Sequence, residues 1–374
     1  MKKIKLLILA VITGSLILTM GCMSEKSQAR KVVDENGKAI TLLTNDKSNA
    51  NEDISVEKID TLKEITAHDW VDDNTILATQ ITKNTVVAAT GEGTILRTVK
   101  LYDVNSKKEK NIFESSDKFQ EPVLSPDKSL MLLVDGETGC CISDLEGNIK
   151  AKFNKPYIYA GDISQAYWIN NKEIIMPCSG INGFYIINVD GTEKEIKDVE
   201  DNPFFQQAVK VGNKIYYRTI LETTQEMKVY DIDSKETKPF MEEKHVLNFR
   251  ISPDNKQFLV ESYDENKDKC SLILTTLDGT NKEILVEDKF LSSSNWSPDG
   301  SKISYTVSGK LVGGSFIIDI NTKKKSLISK SIFSTKKEEE SSSVWSPSGK
   351  KLFVNMFEVK DNKMVDNAYI FNLK

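Results

Sequence analysis

Histidine is almost missing from this chain: its 374 residues include two, His68 and His245. A serine hydrolase needs a nucleophilic Ser, a His base and an orienting acid. Neither histidine lies near a Gly-x-Ser-x-Gly elbow, and the sequence has no such elbow. There is no His-x-x-x-His or Cys-x-x-Cys pair, so a transition-metal centre has no signature here. Five cysteines (Cys22, Cys140, Cys141, Cys178 and Cys270) are too few to staple a chain of this size. A net charge of −5 leaves no basic excess for nucleic acid. The glycines from Gly309 to Gly314 follow a strand pattern but open no helix, so they read as a hairpin loop and not as a phosphate cradle. Asp264, Glu265 and Asp268 share one loop with Lys267 and Lys269. They lack the spacing of a calcium loop and read as a solvated hairpin. No cofactor and no metal is expected.

What is present is repetition. Trp296-Ser297-Pro298-Asp299-Gly300 returns as Ile251-Ser252-Pro253-Asp254-Asn255, as Trp345-Ser346-Pro347-Ser348-Gly349 and as Leu124-Ser125-Pro126-Asp127-Lys128. Pro presets φ for the second turn position, Asp bonds its own backbone, and Gly or Asn accepts positive φ. Apolar-polar alternation after each turn, as in Ile303-Ser304-Tyr305-Thr306-Val307, predicts hairpin-connected strands. Weaker copies begin at Trp70, Trp168 and Val209, the last being the most diluted. The seven anchors are spaced from 41 residues (Trp168 to Val209) to 54 (Trp70 to Leu124), near the period of four-stranded propeller blades. All four tryptophans fall in this one register, which predicts a repeated packing site between blades.

A second signature follows each of the first six anchors: a strand, an Asp-Gly or Asn-Ser type turn and a short strand. Leu101-Tyr102-Asp103-Val104-Asn105-Ser106-Lys107, Val229-Tyr230-Asp231-Ile232-Asp233-Ser234-Lys235 and Leu274-Thr275-Thr276-Leu277-Asp278-Gly279-Thr280 are examples. The expected fold class is therefore all-β: a β-propeller of seven four-stranded blades. Six is the alternative if the weak fourth repeat merges with a neighbour. The seventh repeat supplies three strands, the last running from Ala368 to Leu373. The segment from Ile54 to Ile59 resembles the missing fourth, so it is expected to close the ring and leave no broad unpaired edge.

The first 22 residues form a targeting segment. Lys2, Lys3 and Lys5 precede an apolar run from Leu6 to Leu18, and Thr19-Met20-Gly21-Cys22 follows. The segment resembles a bacterial lipoprotein signal, although Thr19 stands where that pattern prefers Leu. The resemblance implies cleavage after residue 21, lipidation of Cys22 and attachment to the outer face of the cell membrane. An ordinary signal peptide or an uncleaved anchor is the alternative. Residues 22–53 are polar and read as a flexible tether, with one short hairpin expected about Asn36-Gly37. Residues 54–374 form the propeller. Without the three signal lysines the charge becomes about −8.

The Ser-Pro-Asp-Gly turns and the strand–Asp-Gly–strand endings resemble the WD-like repeats of TolB-type β-propellers over residues 54–374, clearest in the second, fifth, sixth and seventh repeats. In such families the repeat builds blades and does not itself mark a site. The family includes envelope proteins that act through protein contacts, the propeller halves of prolyl-oligopeptidase-like enzymes, and lyase domains. Fold alone does not choose among these. The expectation is a membrane-anchored binding or scaffold module that meets an envelope protein or a small ligand and no nucleic acid. The rival is a hydrolase or lyase with its site at the channel mouth. The inner-strand positions just before the anchors are Asp69, Val123, Tyr167, Ala208, Arg250, Asn295 and Val344. Only two of these are charged, which favours binding.

In a propeller blade the first and third hairpin turns emerge on one side, and here these are tight. The other side carries long segments with aromatics outside the strand pattern: Tyr157, Tyr159, Phe204, Phe205, Tyr263, Phe290 and Phe333. Loops on a rigid scaffold are where recognition resides, and aromatics are enriched as interface anchors. These seven residues are the candidate binding set, each with the bland alternative of packing under its own loop. For Cys140, Cys141, Cys178 and Cys270 the expectation is buried free thiols, with a cross-blade disulfide from Cys178 to Cys140 or Cys141 as the sharper alternative. Strand alternation puts Cys140 and Cys141 on opposite faces.

Overall fold

In a computed structural model of the chain, residues 29–33, 39–43, 54–84, 95–116, 119–135, 139–153, 166–178, 181–200, 204–221, 224–243, 245–307, 314–330, 343–360 and 363–374 are described. Strands β1 (Ala29–Val33) and β2 (Ala39–Leu43) pair as a separate hairpin, and β3 (Val56–Lys63) follows. Blade one is β4 (Ile65–Trp70), β5 (Thr75–Asn84), β6 (Ile95–Asp103) and β7 (Glu109–Ser116). Blade two is β8 (Phe119–Leu124), β9 (Leu130–Asp135), β10 (Gly139–Asp144) and β11 (Ile149–Phe153). Blade three is β12 (Tyr167–Trp168), β13 (Glu173–Cys178), β14 (Gly183–Asn188) and β15 (Glu193–Ile196). Blade four is β16 (Phe204–Val211), β17 (Lys214–Leu221), β18 (Thr224–Asp231) and β19 (Glu236–Pro239). Blade five is β20 (Val246–Ile251), β21 (Gln257–Asp264), β22 (Lys269–Thr276) and β23 (Lys282–Asp288). Blade six is β24 (Leu291–Trp296), β25 (Lys302–Val307), β26 (Gly314–Asp319) and β27 (Lys325–Lys330). Blade seven is β28 (Ser343–Trp345), β29 (Lys351–Lys360) and β30 (Lys363–Leu373), completed by β3 in the order β28-β29-β30-β3.

The ring is thus a seven-bladed propeller, and the expected closure holds. Strand β3 runs antiparallel to β30 from Val56 opposite Leu373 to Lys63 opposite Asn367. Backbone bonds between Ser55 and Lys374, at 3.1 and 2.9 Å, extend the ladder by one pair. The hairpin expected about Asn36-Gly37 is also present, with β2 lying beside β27 on the rim of blade six.

The Ser-Pro-Asp turns follow their chemistry closely. Each closes with a bond from the fourth residue's N–H to the Ser carbonyl: Lys128 to Ser125, Asn255 to Ser252, Gly300 to Ser297 and Gly349 to Ser346. The fourth residue lies in the left-handed region, at φ 61°, 57°, 70° and 69°. This is where Gly and Asn cost least. The Ser hydroxyl donates to the Asp carboxylate at 2.7, 2.7 and 2.6 Å in the three turns that hold an Asp. It also accepts the N–H that opens the next strand, as from Lys302 to Ser297 at 2.9 Å.

Burial is organised between blades. Each of the seven described hydrophobic clusters joins one blade to its neighbour. The tryptophan register is the reason. Each indole N–H donates to an inner-strand carbonyl of the preceding blade: Trp70 to Val344, Trp168 to Val123, Trp296 to Arg250 and Trp345 to Asn295, at 3.0–3.4 Å. At two of the three boundaries whose anchor is not Trp, other rings fill the gap. Between blades three and four, beside Ala208, Phe184, Phe205 and Tyr217 stand with centroids 5.1–5.3 Å apart, while Val209 itself packs toward blade five. Tyr216, Phe240, Phe249 and Phe258 do the same beside Ile251. The diluted fourth repeat is therefore a full blade with a different filling.

Candidate functional site

The innermost strands β4, β8, β12, β16, β20, β24 and β28 surround the channel. At least five of them carry a bulge, which re-aims side chains and leaves peptide groups unpaired in the ladder. Side chains from neighbouring blades take up those groups. The Asn355 amide accepts from the Ala67 N–H at 2.9 Å and donates to the Ala67 carbonyl at 2.6 Å. Gln207 makes the same two-way clamp on Phe249, at 3.2 and 2.6 Å. The buried Glu261 carboxylate accepts from the Ser294 N–H at 2.8 Å and from its hydroxyl.

Toward the tight-turn mouth lie the positions that precede the anchors, of which Val123, Tyr167, Ala208 and Val344 pack into the cores between blades. Asp69 there accepts from the Trp70 N–H at 2.7 Å and pairs with Lys128 of the next blade's turn at 2.6 Å. Asn295 donates to the Ser343 carbonyl at 2.9 Å and accepts from the Trp296 N–H at 3.0 Å. Arg250 is exposed; desolvation by nearby protein draws its pKa below the usual arginine value, and the Glu261 charge opposes that shift. One residue further from this mouth, His68 sits on the β4 bulge, its Nε2 2.8 Å from the Thr79 hydroxyl. Burial, and then the Arg97 charge, lower the His68 pKa to about 4, so it is neutral at pH 7.

The tight turns link one to the next around this mouth. The Ser348 N–H donates to Asp73 at 2.9 Å, and Lys351 Nζ donates to the Asp73 carbonyl at 2.8 Å. The Asp127 N–H donates to Asn171 Oδ1 at 3.1 Å.

The opposite mouth carries the described members of the aromatic set. Phe204 opens β16 and is 58% exposed, and Phe290 stands one residue before β24 and is 40% exposed. Tyr263, near the end of β21, donates its hydroxyl to Asp268 at 3.1 Å. Lys289 pairs with Asp268 and places its ammonium 5.6 Å from the Phe290 ring centre. Phe205 stands apart from this set: it is 3% exposed and packs between blades three and four. Alternation along β16 turns one of two consecutive phenylalanines outward and the other into the core. Tyr157, Tyr159, Phe333 and Cys22 lie outside the described residues.

The three carboxylates of the Tyr263–Lys269 loop have cationic or histidine neighbours. Asp264 pairs with Lys267 at 3.0 Å, Asp268 with Lys289, and Glu265 lies 3.4 Å from His245. Cys140, Cys141, Cys178 and Cys270 are buried thiols. Cys140 and Cys178 share the core between blades two and three, while Cys141 faces blade one, as strand alternation requires.

No protein-family model matches the sequence, and no curated protein matches it. Solved structures do. An oligogalacturonate lyase in complex with manganese superposes with a TM-score of 0.61 at 12% identity, over 87% of this chain and 99% of the lyase. The β-propeller domain of Cps50 (Swd1) from Myceliophteria thermophila gives 0.55 at 10% identity, over 84% and 99%. TolB from Acinetobacter baumannii gives 0.42 at 14% identity, over 80% and 82%, a looser match that adds nothing to the fold reading. At these identities the likeness is one of fold alone. The class defined by fold and packing is the seven-bladed β-propeller with blades of four antiparallel strands.

Proposed function

We propose that this chain is a lipid-anchored binding module on the outer face of the cell membrane, held at Cys22, and that its long-loop face meets an envelope protein or ligand. The observation that carries the binding half is the exposure of Phe204 and Phe290, 58% and 40%, on the same face with Tyr263 between them on blade five. Keeping large apolar rings in water costs about 25 cal/mol per Å², and rigidly presented aromatics are the side chains that recover most on binding. The linked turns of the opposite face and the inter-blade cores give this face a stiff platform. The lyase and hydrolase reading gains nothing from the lyase superposition, which is one of fold.

The anchoring half rests on the apolar run that ends at Gly21-Cys22. Metabolic labelling with a fatty acid, followed by membrane fractionation, tests it. Wild-type protein takes up label and sediments with membranes, and Cys22→Ala does neither. An unlabelled wild-type protein contradicts the anchor.

A further inference from the structure

Among the described residues the β1–β2 hairpin is the only element outside the blades. Its second strand, Ala39–Leu43, lies beside β27, the outermost strand of blade six. In the hairpin register Ala29 stands opposite Leu43, so the chain enters and leaves the hairpin at the same end. Paired strands are about 4.8 Å apart, which keeps Ala29 at the same rim as Leu43. From Leu43 the chain arrives 13 positions later at Val56 and β3, in blade seven, the neighbour of blade six.

The seat of this hairpin limits how far the ring stands from its anchor. Ala29 is seven positions after Cys22, and a fully extended chain of that length reaches about 25 Å at most. With no seat on the ring, the leash would instead run the 34 positions from Cys22 to Val56. A leash of that length reaches about 120 Å and leaves every side of the ring free to face the anchor. In a ring of seven blades the rim opposite blade six belongs to blades two and three. For a domain of this size that rim is about 50 Å from blade six. A leash of about 25 Å at blade six is too short to let the opposite rim turn to the surface that holds Cys22.

We propose that the rim of blade six, with the β1–β2 hairpin seated on it, is the side that this propeller turns to the lipid bilayer, and that blades two and three point away from it. The inference rests on the anchoring reading at Cys22 and goes further, because it names the side that the anchor holds down. The hairpin acts as a clip on the leash and not as part of the blade. Its strands bond each other in a two-stranded sheet of their own, while β27 pairs with β26 as the fourth strand of a complete blade. It is therefore removable without opening the ring.

The test uses the full lipid-bearing chain in vesicles of phosphatidylcholine and phosphatidylglycerol that carry a rhodamine-labelled headgroup. A fluorescent amino acid stands at position 324, in an exposed turn of blade six, or at position 194, exposed on the outer strand of blade three. Energy transfer from position 324 should exceed that from position 194 by about twofold or more, given the distance across the ring. Replacing residues 29–43 by a Gly-Ser stretch of equal length lengthens the leash and should make the two positions equal, with little change in melting. Mass spectrometry of Cys22 and vesicle flotation run alongside. Equal transfer from the two positions, in a chain that carries its lipid and floats with the vesicles, overturns this assignment alone. A difference that survives the hairpin replacement does the same. A chain that carries no lipid and does not float overturns the anchor reading, and this assignment with it.

Discussion

The indole N–H of Trp70 donates to the carbonyl of Val344 at 3.0 Å, across 274 positions of chain, and joins the first blade to the seventh. Trp70 is fully buried, with its ring centroid 5.9 Å from that of Phe353. The bond belongs to a series of four, so a loss here reports on all of them. Trp70→Phe keeps most of the packing and leaves a buried carbonyl unpaired, at about 1–3 kcal/mol. Trp70→Ala adds a cavity and should cost about 3–5 kcal/mol. Denaturant unfolding of the two variants checks the order, and equal losses would refute the hydrogen-bond contribution.

Closure by β3 sets a second expectation. Deleting residues 54–63 strips β30 of its partner along the register from Val56–Leu373 to Lys63–Asn367 and bares a long blade edge. The protein should melt at a much lower temperature or aggregate. Deleting residues 23–45 removes the tether and the β1–β2 hairpin and should change melting little. Scanning calorimetry on both deletions separates them, and equal melting would count against closure.

His68 gives the fold a pH dependence whose sign is set by its environment. Its folded pKa is about 4, below the ordinary 6.5, because burial and then Arg97 disfavour the charged ring. Between those values the unfolded chain binds a proton that the folded chain does not, so stability falls as pH drops from about 6.5 toward 4. His68→Gln should flatten the melting temperature across that window relative to wild type. Parallel curves for the two proteins would contradict a neutral His68 in the folded chain.

Much of this fold was legible in the sequence because the turn chemistry is local. Ser-Pro-Asp-Gly forms its own bonds within five residues, and the tryptophans mark the blade period. The inter-blade clamps were not legible. Nothing near Asn355 in sequence points to Ala67, and the pairing exists only after the ring closes. The weak fourth repeat looks degenerate because neither Ala208 nor Val209 is Trp, while the rings that fill its boundary with blade three, Phe184, Phe205 and Tyr217, are scattered over two blades. Two adjacent phenylalanines at a crossover carry no sequence mark of which one faces out.

The face assignment is the centre of this account, and site-specific photo-crosslinking in intact cells tests it most directly. A photoreactive residue at position 290, on the long-loop face, is compared with one at position 349, in a tight turn of the opposite face. The prediction is a discrete crosslinked species from position 290 and none from position 349. A discrete species from position 349, with position 290 silent, would contradict it.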